Sequence, residues 1–198
     1  MRSCFAAATI AVAAGLFALP AVAAEISDLS ALDANAGTKE VYSCYSRQYD
    51  AAHLQSHPKQ NVTDIKIFVD SSYDETWKHR TYQIEMGVSF RGLKHAFEVS
   101  GDCATVDGEK SLACGVDCDG GQFNIGTQDV STLLLSIPNG VRIWDPTDTS
   151  DDGPGDTNLP KAASFGDDDK DFKLDKVDVK ECQSLMNDDQ KTAILASK

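Results

Sequence analysis

Two histidines four residues apart, His53 and His57, open the list of groups able to do chemistry. On a helix both rings project from one face, the arrangement that offers two nitrogen ligands to a transition metal. Leu54 follows His53, so the glutamate that serves as general base in a H-E-x-x-H metalloprotease is missing. His53 and His57 are therefore candidate ligands of a divalent cation, set against the plainer reading of histidines packed or capping at the edge of a sheet. The chain shows no other cofactor signature.

The cysteines are the stronger signal. Cys44, Cys103, Cys114, Cys118 and Cys182 lie beyond the N-terminal apolar segment that carries Cys4. An exported chain makes such residues disulfides first, and five cannot all pair. Cys103 and Cys114 are symmetric about Gly108-Glu109, so a two-residue hairpin sets them opposite one another, at a hydrogen-bonded position; a shifted register pairs Cys103 with Cys118 instead. Joining Cys44 to Cys182 closes a loop of nearly 140 residues, which chain entropy values at about 4 to 5 kcal/mol. Cys114-x-x-x-Cys118 is not the C-x-x-C of thiol oxidoreductases.

Carboxylates form a third set. Residues 145–178 hold eleven aspartates against four lysines, a net charge of −7. Asp145, Asp148, Asp151, Asp152, Asp167, Asp168 and Asp169 are candidates for holding a cation or a basic partner, with solubility as the competing reason for their number. Asp117-Cys118-Asp119-Gly120 resembles part of a calcium loop, yet position one is Gly115 and position twelve Gly126, so the EF-hand pattern fails and an Asp-Gly-Gly turn explains it. Trp77, Trp144 and the tyrosines suit a ligand pocket or ordinary packing equally. No G-x-S-x-G elbow accompanies the four histidines.

These groups need a scaffold and a compartment. Arg2, an apolar run from Phe5 to Leu19 and Pro20-Ala21-Val22-Ala23-Ala24 read as a cleavable signal peptide over residues 1–24, too short to span a bilayer. That predicts a soluble protein of the Gram-negative periplasm or of secretions, with no membrane span after signal removal. Without Arg2, 17 basic residues face 31 acidic ones, a net charge of −14, which argues against nucleic acid as partner. A protein partner or a small ligand remains.

Residues 25–39 read as a loose N-terminal arm and residues 40–198 as one β domain containing an acidic loop at 145–170. Strands are predicted near 41–45, 65–69, 82–90, 96–99, 104–106, 111–116, 122–125, 131–137 and 141–144, with a last one or two around 172–179. Tyr82, Ile84, Met86, Val88 and Phe90 alternate with polar or small residues, the period of a half-buried strand. Asp50 caps a short helix through His57, ended by Pro58, and a second helix covers 188–195. Short strands separated by Asp107-Gly108, Asp119-Gly120-Gly121 and Pro138-Asn139-Gly140 predict an all-β fold: an antiparallel sandwich or small barrel of about eight strands in a meander. The function expected is a non-enzymatic binding module; a metal-dependent or hydrolytic enzyme using His53 and His57, a weak Ca2+ binder through the acidic loop, and a structural envelope protein are the alternatives.

Overall fold

The computed structural model describes residues 32, 36–105, 111–117, 119–148 and 159–196. The signal peptide and most of the N-terminal arm lie outside these residues, as do Cys118, Asp151 and Asp152.

Eight antiparallel strands close into a barrel in sequence order: β1 (Val41–Gln48), β2 (Val62–Asp74), β3 (His79–Phe90), β4 (Phe97–Thr105), β5 (Leu112–Val116), β6 (Gln122–Asp129), β7 (Thr132–Ser136) and β8 (Asp171–Val177). Every neighbour in sequence is a neighbour in space, so each pairing needs only a hairpin or a loop. Closure comes from β1 meeting β8 at Cys44↔Val177, Tyr45↔Lys176 and Ser46↔Asp175. That seam is the shortest in the barrel. By contrast, β2 and β3 pair from Val62↔Phe90 to Asp74↔His79 with one irregularity near Val62.

The period-2 alternation assigns each strand an inner and an outer face. Ile65, Ile67 and Val69 of β2 stand opposite Val88, Met86 and Ile84 of β3, and Phe97, Val99, Phe123, Ile125, Leu133, Leu135 and Leu174 continue the layer, all buried. Eight strands enclose a bore that side chains can just fill. Here they fill it, and Gly101 makes room: a Cβ at that position would stand 2.9 Å from the Phe123 ring and 3.0 Å from the Gly115 carbonyl oxygen. Outward positions are polar along most of the wall, including Lys66, Asp70, Gln83, Glu85, Glu98, Asp102, Gln122, Asn124 and Lys173.

The exception lies on the outside of β1 and β2. Cys44 and Phe68 face outward and are fully buried, because the chain after β8 folds back over them as a 3-10 helix (Val179–Leu185) and a helix we label α2 (Asp188–Ala196). Cys182, Met186 and Ile194 complete this second, smaller core. The Cys44–Cys182 disulfide runs through it. Helix α1 (Ala51–Ser56) sits between β1 and β2 at the opposite end of the barrel.

Three expectations change. Residues 96–99 and 104–106 are not separate strands but one, β4, because Ser100-Gly101-Asp102 stays extended where Gly101 faces Phe123. Residues 141–144 form no strand of the barrel: their sheet pairing is limited to the isolated bridges Gly121↔Val141 and Glu98↔Trp144, while Ile143 packs into the core. Residues 159–170, read from sequence only as part of an acidic loop, pack on the barrel end through Leu159, Ala163 and Phe165.

Candidate functional site

The loops after β1, β3, β5 and β7 gather at one end of the barrel, and most of the residues singled out from sequence are there. Asp50 is the N-cap of α1, accepting from the His53 backbone N–H at 2.7 Å. At the other end of α1, Arg91 donates to the carbonyls of Leu54 at 2.6 Å and His57 at 3.0 Å, and to that of Gln60 at 2.6 Å. A guanidinium on the last carbonyls satisfies acceptors that the helix itself leaves open. The helix is short, and Arg91 and Asp50 hold its two ends.

His53 and His57 do lie on one face, but their rings stack on each other, centroids 4.2 Å apart and planes 16° from parallel, and Tyr49 extends the stack on the His53 side at 4.6 Å. Imidazole lone pairs lie in the ring plane, so stacked rings aim them side by side instead of at one ion. Both histidines also have polar partners: His53 Nε2 with Gln60 Oε1 at 2.9 Å, and His57 Nδ1 with the His53 carbonyl and Ser56 Oγ, each at 3.0 Å. The candidate pair forms an aromatic stack on the barrel rim, the geometry of the plainer, packed reading. Among the described residues, no three His, Cys, Asp or Glu side chains group in metal-binding fashion.

The aspartates separate into different roles. Asp169, expected to be an available cation ligand, is 1% exposed. Its carboxylate accepts from the backbone N–H groups of Asn61 at 2.6 Å, Gly166 at 2.8 Å and Val62 at 3.1 Å, tying the returning chain to the start of β2. Asn61 answers with Nδ2 to the carbonyls of Ala162 and Ser164. Asp167 pairs with Lys59 at 3.1 Å in solvent, and Asp168 is exposed beside them. Asp145 accepts from the Thr147 hydroxyl and backbone N–H and meets His95 Nε2 at 3.0 Å. The Thr147 bonds, with His95 helping, hold its carboxyl below the usual carboxylate range. Asp148 is exposed just beyond. The triplet 167–169 therefore does not converge: one carboxylate is spent on backbone, one on a lysine.

Between the β5–β6 turn, the 137–143 segment and the 159–170 segment opens a cleft of about 980 Å³. Ile143, Leu159 and Phe165 give it an apolar floor, and Arg142, Lys170, Asn139 and Asp167 its polar rim. Phe165 is fixed edge-on against Phe90 at 5.6 Å, so the floor is continuous with the barrel core. Lys170 Nζ is drawn to the Pro138 carbonyl at 2.7 Å, linking the two loops that form the walls. Asp119 and Gly121 take positive φ angles of 58° and 96°, which turn the chain sharply at the cleft edge. These residues were read from sequence only as turns, since nothing in Pro138-Asn139-Gly140 distinguishes a hairpin from the wall of a cleft.

Sequence reasoning also missed Glu85. On the outer wall it accepts from Ser100 Oγ at 2.7 Å, and burial, aided by the like charges of Glu98, Asp102 and Asp117, pushes its carboxyl up to about 7. Alternation marks Glu85 as outward-facing but cannot show that later chain folds over it.

Among the described residues two cystines are present, Cys44–Cys182 and Cys103–Cys114. The second joins residues directly opposite in the β4–β5 ladder, as the symmetry about Gly108-Glu109 implies. Its Cα separation of 4.1 Å is the close spacing of a non-hydrogen-bonded pair, not the hydrogen-bonded one expected. The two-residue turn from which that phase follows lies outside the described residues, and the last described pair is Thr105↔Leu112.

Fold and geometry together define a class: a closed, antiparallel eight-stranded barrel with a side-chain-filled bore, a cleft at its loop end and two disulfides. No protein-family model, curated protein or solved structure matches the chain.

Proposed function

We propose that the chain is a non-enzymatic binding module of an oxidising compartment outside the cytoplasm, holding a polar small ligand or a short segment of a partner protein in the loop-end cleft. The observation that carries this reading is the contrast between a filled bore and an open mouth. Tyr45, Met86, Phe90, Phe97 and Phe123 occupy the interior completely, while the cleft at its end offers about 980 Å³ with an apolar floor and a polar rim. Barrel mouths are common ligand sites, and that volume suits a small molecule or a few residues of peptide. Two disulfides accord with an oxidising compartment. Among the described residues no helix is long and apolar enough to cross a membrane, and the outer wall presents polar residues where a membrane barrel presents an apolar band. The stacked histidines and the internally bonded Asp145 and Asp169 give the enzymatic and calcium-binding alternatives no support.

The test is a thermal-shift screen of the oxidised protein against amino acids, sugars, organic acids and short peptides, repeated on Asn139→Trp. Asn139 is an exposed rim residue, so the indole narrows the cleft at little structural cost. A ligand at 100 times its Kd stabilises by about 2.7 kcal/mol. Hits on the native chain that vanish in Asn139→Trp, with ligand-free melting unchanged, support the reading. Hits that persist in the variant, or a panel that stabilises neither protein, overturn it.

A further inference from the structure

The C-terminal segment 179–196 is held to the barrel unevenly. At its start Cys182 is covalently bound to Cys44, and Val179, Cys182 and Met186 pack with Tyr42 and Phe68 on β1 and β2. Beyond Cys182 the attachment is non-covalent. Leu185 rests on Gly87, where a Cβ would come within 3.3 Å of it. Ile194 reaches the same apolar cluster. Asn187 and Gln190 form a reciprocal cap on α2, Asn187 N–H to Gln190 Oε1 at 3.0 Å and Gln190 N–H to Asn187 Oδ1 at 2.9 Å, and Gln190 Nε2 also donates to Asp70 at 2.9 Å.

Beneath this non-covalently held part are two carboxyls. A groove of about 220 Å³ separates Glu85 and Glu98 from Ser184, Asn187 and Gln190. Every strap residue lining it is uncharged. The charges that bear on Glu85 are all negative: Glu98 and Asp102 of β4 and Asp117 after β5. Asp70, on β2, is raised by burial and by Glu40, against the hydrogen bonds of Gln190 and Ser72. The basic groups nearby are engaged elsewhere, Lys66 at the Glu181 carbonyl and Lys191 with Asp188.

We propose that residues 184–196 are a pH-responsive strap, hinged at the Cys44–Cys182 disulfide, closed over Glu85 in mild acid and opening as the pH rises to neutral. A carboxyl whose value is higher in the closed form than in the open one favours closure when protonated. Closure is therefore strongest near and below the ordinary glutamate value of 4.5 and is lost as pH rises toward about 7, with little further change above. Opening rehydrates Glu85 and separates it from the cover that desolvates it, while the disulfide keeps the strap tethered. Released, the strap uncovers the outward side of Phe68 and Gly87.

Hydrogen exchange of the full oxidised chain tests this, expressed as protection factors so that the intrinsic pH dependence of exchange cancels. One linked proton allows at most about a tenfold change in opening per pH unit. Amides of 185–195 are expected to lose protection about tenfold between pH 5 and pH 8, while those of β6 and β7 do not change. Glu85→Gln keeps an acceptor for Ser100 and abolishes the dependence; Glu98→Gln, which removes one repelling charge, moves its midpoint to lower pH. Protection that varies less than twofold in the native chain, or a dependence that survives Glu85→Gln, overturns the proposal. So does a dependence abolished by Asp70→Asn alone.

Discussion

Replacing Cys44 and Cys182 together by alanine should cost the protein far more than replacing Cys103 and Cys114. The two bridges differ in the loops they close: partners 138 residues apart in the first case and 11 in the second. Loop-closure entropy of the unfolded chain scales with the logarithm of that length, giving about 5 kcal/mol for the long loop and about 3 kcal/mol for the short one at 25 °C. The structure adds to the difference. The long bridge holds the strap beside the seam where β1 and β8 meet over only three pairs, Cys44↔Val177 among them, so it brings together the two chain ends that must meet for the barrel to close. Its sulfurs also lie in a cluster with Phe68, Met186 and Ile194, and deleting them leaves space behind. The short bridge joins strands already paired through a hairpin, from Gly101↔Val116 to Thr105↔Leu112. Guanidinium unfolding followed by circular dichroism, near pH 6, should show a loss of about 4 to 5 kcal/mol for the first double variant and about 2 to 3 kcal/mol for the second. A loss below about 2 kcal/mol for Cys44→Ala/Cys182→Ala, or the reverse order of the two, refutes the argument. It would mean that the strap peels off locally without the barrel losing the benefit of the cross-link.

Two further outcomes follow from the loop end. Asp169→Ala leaves the N–H groups of Asn61, Val62 and Gly166 without their acceptor, that of Val62 buried and the other two part-buried, at about 1 to 3 kcal/mol for a fully buried group and less for the others; denaturant unfolding should show a loss near 3 kcal/mol, and Asp169→Asn, which retains one carbonyl oxygen, a smaller one. Arg91→Ala frees the carbonyls of Leu54, His57 and Gln60, so exchange of the amides in 54–60 should accelerate at least about fivefold, corresponding to about 1 kcal/mol, with the barrel strands unaffected; an acceleration below twofold would mean that Asp50 and the histidine stack hold α1 unaided.

The β architecture was legible because alternation is a local property. Tyr82 to Phe90 declare an inner and an outer face whatever they later pair with, and the turn signals at Asp119-Gly120-Gly121 place a reversal without knowledge of the partner strand. Whether such strands close or stack into two sheets is not local. It depends on β1 and β8 meeting across the whole sequence, and the one long-range trace of that meeting was the pair Cys44 and Cys182, whose spacing runs from within β1 to just beyond β8. The gap between the expected strands near 96–99 and 104–106 closes for the same reason: Gly101 faces the Phe123 ring of β6, a contact across the barrel that no local pattern shows.

At the candidate sites composition and geometry say different things. Eleven aspartates in 34 residues suggest a cation-binding loop, but a carboxylate is also the best acceptor for several backbone N–H groups at once, and Asp169 serves in that way. What separates it from exposed Asp168 is one step of chain direction, where Phe165 packs on Phe90. His53 and His57 share a face, as their spacing requires, yet ring stacking with Tyr49 and the Gln60 hydrogen bond decide where the nitrogens point. The same logic applies to Glu85. Its outward position is written in β3, but the property that makes it responsive to pH is supplied by a strap that begins nearly a hundred residues later, and only the fold brings the two together.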